Sequence, residues 1–443
     1  MMKKQVLLIA TILIVLTFGC RKSDVDTVQP VALSVQVSYS AADSALGLSK
    51  SGVTVTITNL TSGQVNTANT DETGIATFAS ITPGNYSIAA AKNYTAEEFY
   101  AETAVTVTSN VAYNATESQT FNTNTMLSLT LVSGKIGDLV FKQIYYAGSN
   151  TSTGASFRDV FVEIYNNSNE TIYLDSLYIG NTLSENSKVS AGAVSFDWTQ
   201  SVGISNPNGG DLNDDYLYFR YLFMIPGSGK DHPLEPGKSI IIAQTALNHT
   251  ASYTDNNGTV VSVTNPDLTV DLSAADFEAY LVEYKQAASA YRYDVNNPQV
   301  ENLDVIYVNS GSDWVFDATG REDFVMFKSS AASSSWTTYP DPSVATVTSS
   351  TSYGLQVPSE GVIDAVEIIT PLETNRIPKR LPVKFDAAGT YVTGGQYSSQ
   401  SLIRKTVKTV DGRIILQDTN NSSNDFLTKS KADPSKTDAS FEQ

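Results

Sequence analysis

Three kinds of residue in this 443-residue chain have types and spacings that could do chemistry. Asp211, Asn213 and Asp215 place oxygen-bearing side chains at alternate positions, as a calcium-binding loop does when it gathers part of its six to eight oxygen ligands. Tyr216 stands where an EF-hand needs glycine and Leu222 where it needs a bidentate glutamate, so the segment is either a looser calcium site or a solvated turn after Asn208-Gly209-Gly210. Asp304, Asp313, Asp317, Glu322 and Asp323 could supply the paired carboxylates of a glycosidase, or they are ordinary surface acids. Aromatic residues form the third group. Trp198, Tyr216, Tyr218, Phe219, Tyr221 and Phe223 cluster in one stretch, and Tyr291, Tyr293, Tyr307, Trp314, Phe316, Trp336 and Tyr339 in another. Exposed tyrosine and tryptophan anchor glycan and protein interfaces, because they bury a large area at small entropic cost. The binding residues expected on that ground are Tyr218, Tyr221, Trp314 and Trp336, and the alternative for each is a place in the core.

Other chemistries are excluded by count. One cysteine rules out an internal disulfide and a thiolate cluster, and two histidines, His232 and His249, rule out a multi-histidine zinc site within one chain. The chain has no recognisable nucleophile motif, so a non-enzymatic role is expected. Its formal charge of -18 repels phosphate backbones, and nucleic acid is not an expected partner.

The single cysteine has a telling position. Lys3 and Lys4 precede an apolar run from Val6 to Phe18, and Gly19-Cys20 follows. A basic start, a short apolar core and a small residue before the cut describe a secretory leader, and the run is shorter than the ~20 residues that span a bilayer. Leu16-Thr17-Phe18-Gly19-Cys20 resembles the lipobox of bacterial lipoproteins, which implies acylation of the Cys20 thiol. Arg21-Lys22-Ser23-Asp24-Val25-Asp26 resembles the charged signal that sends lipoproteins of Bacteroidota to the outer face of the outer membrane.

The elements that must position these groups are mostly strands. A chain this long exceeds one core of roughly 250–300 residues, so two or three domains are expected. From Val31 to Tyr39 apolar and polar residues alternate strictly, the mark of a half-buried strand, and Val53, Val55 and Ile57 repeat it. Asp71-Glu72-Thr73-Gly74 and Pro83-Gly84 supply tight turns. Thr70-Asp71, Gly74-Ile75-Ala76-Thr77-Phe78 and Pro83-Gly84-Asn85-Tyr86 together resemble the carboxypeptidase-regulatory-like or Cna-B-like β-sandwich over residues 31–130, which implies an immunoglobulin- or prealbumin-like spacer.

A second domain is expected over 137–428. Phe161-Val162-Glu163-Ile164-Tyr165-Asn166-Asn167-Ser168, Leu234-Glu235-Pro236-Gly237, Val362-Ile363-Asp364-Ala365-Val366-Glu367 and Ser401-Leu402-Ile403-Arg404 resemble, in order, the strands of the lamin-tail β-sandwich. Glu163 alternates with Val162 and Ile164, so it points away from them, as a structural carboxylate held by a partner. Segments 181–233 and 244–360 exceed what that fold requires and are expected as insertions, where binding functions concentrate. Ser273-Ala274-Ala275-Asp276 begins like a capping box, and Phe277, Tyr280, Leu281 and Tyr284 follow at helical spacing, which predicts one short helix. The tail 429–443 is polar and expected to be disordered.

Leader, sandwich and expanded second domain together resemble a Bacteroidota lipoprotein family catalogued as domain of unknown function 4876. Tyr145-Tyr146-Ala147-Gly148, Glu163 to Ser168, Tyr173-Leu174-Asp175, Ser401 to Lys405 and Gln417 to Ser422 carry that resemblance. It implies a mainly β, lipid-anchored outer-membrane protein exposed at the cell surface. Analogy with surface lipoproteins of this phylum suggests an accessory of a TonB-dependent transporter that takes up a small nutrient. A glycan-binding lectin or adhesin is the alternative, and a hydrolase a third. No cofactor is required beyond the calcium considered above.

Overall fold

The computed structural model describes residues 29–105, 111–135, 138–168, 170–183, 197–206, 209–286, 290–377, 380–410 and 412–442. The leader and Cys20 lie outside the described residues. Those residues form two β-sandwiches, and the architecture is mainly β.

The first sandwich holds seven strands, from Val31–Tyr39 to Thr125–Lys135. Val31–Tyr39 alternates between buried and half-buried at every step, as period two requires, with Leu33, Val35 and Val37 fully enclosed. The last strand closes both layers. Its start pairs in parallel with Val31–Tyr39, while its end pairs antiparallel with Val111–Asn114. Gly74 ends the Asp71 turn at φ +83, where a side chain would be strained and would meet the Lys50 Cβ at 2.9 Å. The longest helix among the described residues, Ala96–Thr103, also sits here, started by a Thr95–Glu98 capping box.

The second sandwich stacks two seven-stranded sheets. The first runs Thr337–Pro340, Tyr353–Pro358, Tyr216–Met224, Tyr178–Thr182, Glu322–Phe327, Val362–Ile368, and Asp304–Val308 also pairs with Tyr216–Met224. The second runs Glu301–Asn302, Phe277–Glu278, Ser239–Ala243, Phe161–Asn166, Leu139–Tyr145, Ser401–Arg404, Phe426–Lys429. Between them lies a core that includes Phe141, Ile164, Tyr221, Phe223, Trp314, Phe324 and Leu402. Five strands of the first sheet come from segments 181–233 and 244–360. The expectation that these segments are appended insertions is therefore corrected: they build half of the sandwich. The reason is visible in Tyr216–Met224, whose apolar residues are buried on both faces. A strand so apolar is stable only with a layer on each side.

Two further expectations are overturned. No helix spans 273–284. Ser273 N and Oγ donate to Asp271 Oδ1 at 2.9 and 2.6 Å, and Ile241 N donates to Asp276 Oδ2 at 2.7 Å. These side chains compete with a helix for backbone groups, and Phe277–Glu278 becomes a strand parallel to Ile242–Ala243. Only Val282–Lys285 is helical there. The segment 429–442 is packed rather than disordered, since it covers the outer face of the second sheet. Gln143 Nε2 donates to the Asp433 carbonyl at 2.7 Å, Lys142 Nζ donates to Ser440 Oγ at 2.6 Å, and Phe441 meets Tyr165 edge-on at 5.6 Å.

Candidate functional site: a cleft before a buried polar cluster

The four aromatics expected to bind are placed in or against the core. Tyr221 and Trp314 are fully buried, and Trp314 Nε1 donates to Asn181 Oδ1 at 2.6 Å while its ring packs on Phe223 and Phe316. Tyr218 is enclosed under Trp198, ring on ring at 3.7 Å. Trp336 is half-buried against Tyr178 and Phe327. The expectation of an exposed platform is corrected for Tyr218, Tyr221 and Trp314: a buried ring has no face left for a ligand, and the area it would offer already stabilises the sandwich.

Asp211, Asn213 and Asp215 do not converge on a cation. Asn213 Oδ1 accepts from Trp198 N at 2.8 Å, Asp211 Oδ1 from Asn213 N at 2.8 Å, and Asp215 Oδ2 from Asp211 N at 2.8 Å. Lys384 Nζ lies 3.7 Å from Asp215 Oδ1. The oxygens turn inward to tie the loop, and an ammonium already stands beside one of them. Among the described residues no group of three or more His, Cys, Asp or Glu side chains is arranged to hold a metal.

Of the candidate catalytic acids, only Asp317 and Glu322 line one cleft. Asp323 is buried and accepts from Thr182 N at 2.7 Å, and Asp313 is buried and accepts from Gln244 Nε2 at 2.8 Å. Asp317 binds Thr319 through Oδ1 and Arg321 through Oδ2, while Asp304 is exposed on its strand. Glu163 is held as expected, with Lys142 Nζ at 2.8 Å.

A different place has the shape of a site. A cleft of about 390 Å³ opens between Leu281, Val282, Lys285, Tyr291, Arg292 and Asp294. Local sequence builds its rim. Asp255 Oδ1 accepts from Asn257 N at 3.0 Å and Thr259 N at 2.9 Å, which folds Asp255–Gly258 into a tight turn. That turn presents Asn256, whose Nδ2 donates to the Tyr291 carbonyl at 2.8 Å and the Asp294 carbonyl at 2.7 Å. Arg292 Nε donates to Asp255 Oδ2 at 2.8 Å, clamping the same two loops together. Tyr291 remains 39% exposed on the rim.

Asp294 forms the floor. Its Oδ2 accepts from Leu281 N at 3.0 Å, and burial, reinforced by the charge of Asp313, pushes its pKa up to about 8. At neutral pH it is mostly a neutral acid, able to donate one hydrogen bond. Behind it lies a cluster of Arg158, Gln244, His249, Tyr253 and Asp313. The Arg158 guanidinium lies over the Tyr293 ring at 3.2 Å and interacts electrostatically with Asp313 and His249. Burial holds His249 down at about 4, so it is neutral, and Nε2 sits 3.0 Å from the Thr245 carbonyl. Nε2 therefore carries the proton and Nδ1 is an acceptor. Arg158 Nη1, Gln244 Oε1, His249 Nδ1, Tyr253 OH and Asp313 Oδ1 have no protein partner in the structure. Buried polar groups left this way cost ~1–3 kcal/mol each, so the cluster calls for partners from water or a ligand.

Sequence reasoning named Tyr291 and Tyr293 only as members of an aromatic group and missed Asp294, Arg292 and Arg158. The available signal was the alternation Tyr291-Arg292-Tyr293-Asp294 beside the Asp255–Gly258 turn.

The family described as Protein of unknown function (DUF4876) matches residues 235–433. Among solved structures, a protein of that family from Bacteroides thetaiotaomicron is 24% identical, with 90% of this chain and 95% of that one covered and a TM-score of 0.49. The minor pilin of Streptococcus agalactiae is 12% identical over 52% of this chain and 90% of its own, with a TM-score of 0.15. A Bacteroides ovatus protein assigned as an adhesin is 11% identical over 38% and 58%, with a TM-score of 0.18. No curated protein matches. The DUF4876 family model thus matches residues 235–433, the larger part of the second sandwich, in agreement with the resemblance drawn from the sequence.

Proposed function

We propose that this chain is a lipid-anchored surface protein that captures a small ligand at the loop end of its second sandwich without turning it over. The observation that carries this reading is the cleft over Asp294, which combines an exposed ring, two cations and a neutral acid before a cluster of unpaired polar groups. Sites of this size with a few convergent polar groups are the usual form of a small-molecule pocket. The leader that ends at Gly19-Cys20 supports the anchor, and the strongly acidic chain supports an exported, soluble body. On this reading the protein sits beside a TonB-dependent outer-membrane transporter and delivers a nutrient to it.

Expression with a labelled fatty acid tests the anchor: label and membrane association are expected for the natural chain and absent in Cys20→Ser. Purification of the tagged protein from detergent-solubilised outer membranes tests the partnership. A co-purifying TonB-dependent transporter is the expected result, and recovery of the lipoprotein alone refutes that half of the reading. A second reading, a glycan-binding lectin or adhesin, is favoured by Tyr291 on the rim beside Asn257. A glycan array on which wild type binds and Tyr291→Ala does not would select it, and a blank array removes it.

A further inference from the structure

A second cleft, of about 430 Å³, has charges of its own and is not explained by the first. It is lined by Phe157, Arg220, Phe316, Asp317, Glu322 and Tyr397, among others. Glu322 is only 5% exposed, yet its Oε2 has no partner in the structure. Arg220 acts electrostatically on Glu322, but among the described residues no carboxylate lies within ion-pair reach of Arg220. Asp317 does not fill that role, because its carboxylate is taken by Thr319 and by Arg321 Nε at 2.7 Å. Asp317 and Arg321 also line the cleft but pair with each other, and Arg380 acts on Glu322 as Arg220 does. The cleft therefore presents one acid oxygen without a hydrogen-bond partner and one guanidinium without a carboxylate, which sense each other across a gap.

We propose that this cleft binds a small zwitterion, its ammonium on Glu322 and its carboxylate on Arg220, the chemistry shared by a free amino acid and a short peptide. An ammonium would favour the ionised form of Glu322 that burial otherwise resists, whereas a neutral ligand would leave the Arg220 charge uncompensated and a simple anion would face the Glu322 oxygen. A guanidinium recognises a carboxylate with two parallel hydrogen bonds, and an ammonium supplies the donor that Glu322 Oε2 lacks. Phe157 and Tyr397, both half-buried on the cleft wall, would cover an apolar side chain. This inference stands apart from the anchor and the transporter.

The test is isothermal titration calorimetry on the soluble chain lacking the leader, at about pH 8.5, where burial no longer keeps Glu322 protonated. L-phenylalanine and L-alanyl-L-phenylalanine are the zwitterions; phenethylamine and 3-phenylpropionate each carry one of the two charges. At least one zwitterion is expected to bind, and both single-charge analogues at least about tenfold more weakly. The better of the two zwitterions shows whether an amino acid or a peptide sets the spacing. Glu322→Gln and Arg220→Gln should each weaken that zwitterion at least about tenfold, while Glu322→Gln leaves 3-phenylpropionate unharmed. Arg220 is half-buried, so its variant serves if Glu322→Gln fails to fold. No heat with either zwitterion up to about 5 mM, equal binding of the single-charge analogues, or variants that melt and bind like wild type would each overturn the proposal.

Discussion

Replacement of Glu163 by glutamine should expose how the second sandwich is tied to the C-terminal segment. Lys142 and Glu163 are both fully enclosed, with Nζ 2.8 Å from Oε1. Lys142 also donates to Ser440 Oγ and lies 3.6 Å from the centre of the Phe441 ring, so the pair holds residues 440 and 441 against the sheet. Three donors converge on the carboxylate: Lys142 Nζ, Gln143 Nε2 at 3.3 Å and Ser239 Oγ at 2.5 Å. A glutamine there keeps one acceptor oxygen and turns an NH2 toward donors, so at least one donor is orphaned and the ammonium loses its counter-charge. Removal of one partner from a buried pair costs ~3–5 kcal/mol. Lys142 can also escape by giving up its proton, since burial already lowers its pKa. From the ordinary value of 10.5, neutralisation at pH 7 costs about 5 kcal/mol and at pH 9 about 2 kcal/mol, which caps the penalty. The sign follows: in Glu163→Gln the folded lysine pKa is depressed, the unfolded chain binds more protons, and stability recovers as pH rises. All three tryptophans lie in the second sandwich, so their fluorescence during urea unfolding reports that body alone. Glu163→Gln should lose ~3–5 kcal/mol at pH 7 and distinctly less at pH 9, and Lys142→Met should lose a similar amount. The double variant Lys142→Met/Glu163→Leu should regain much of the loss. A penalty under about 1 kcal/mol for Glu163→Gln, or strictly additive losses in the double variant, would refute this account.

Other expectations follow from the same geometry. Burial raises Asp159 to about 7 and, with neighbouring carboxylates adding to it, Asp294 and Glu322 to about 8. These acids fold as neutral groups, so their contribution is fully present below about pH 4 and is lost as pH rises from there to 7 or 8, at ~1.4 kcal/mol per pH unit for each group. The melting temperature should be higher at pH 6 than at pH 9, and the reverse order would contradict the burial of these groups. Trp314→Ala should destabilise the second sandwich by ~3–5 kcal/mol in urea unfolding, and a near-neutral result would return the ring to the surface. Addition of about 1 mM calcium should leave the melting temperature unchanged, because bound calcium would raise it by mass action, and a rise of several degrees would restore the Asp211 loop as a site. Gly180→Ala should lower the melting temperature by several degrees, since its Cβ would fall 2.1 Å from the Tyr221 carbonyl oxygen; an unchanged melt would show that the strands can part.

Much of the fold was legible in the chain because local patterns write it. The alternation of Val31–Tyr39 and the turns at Asp71–Gly74 act within a few residues, and they appear where their periodicity and φ requirements place them. Glu163 was also legible, since alternation with Val162 and Ile164 turns it to the opposite face, although its partner at Lys142 was not. What the sequence could not give was which apolar surface meets which. The same tyrosines and tryptophans suit a binding platform and a core, and only the packing of two sheets decided that Tyr221 and Trp314 face inward. Ser273–Tyr284 carries a helical spacing that long-range pairing with Ile242–Ala243 overrode. Both clefts arise from segments separated in sequence, and the oxygens of Asp294 and Glu322 gain their properties from burial, which is a property of the assembled fold. By itself the sequence determined the β character and the turns. Tertiary structure decided which side chains remain for a ligand, because burial withdraws most aromatics from solvent and leaves a few polar groups without partners.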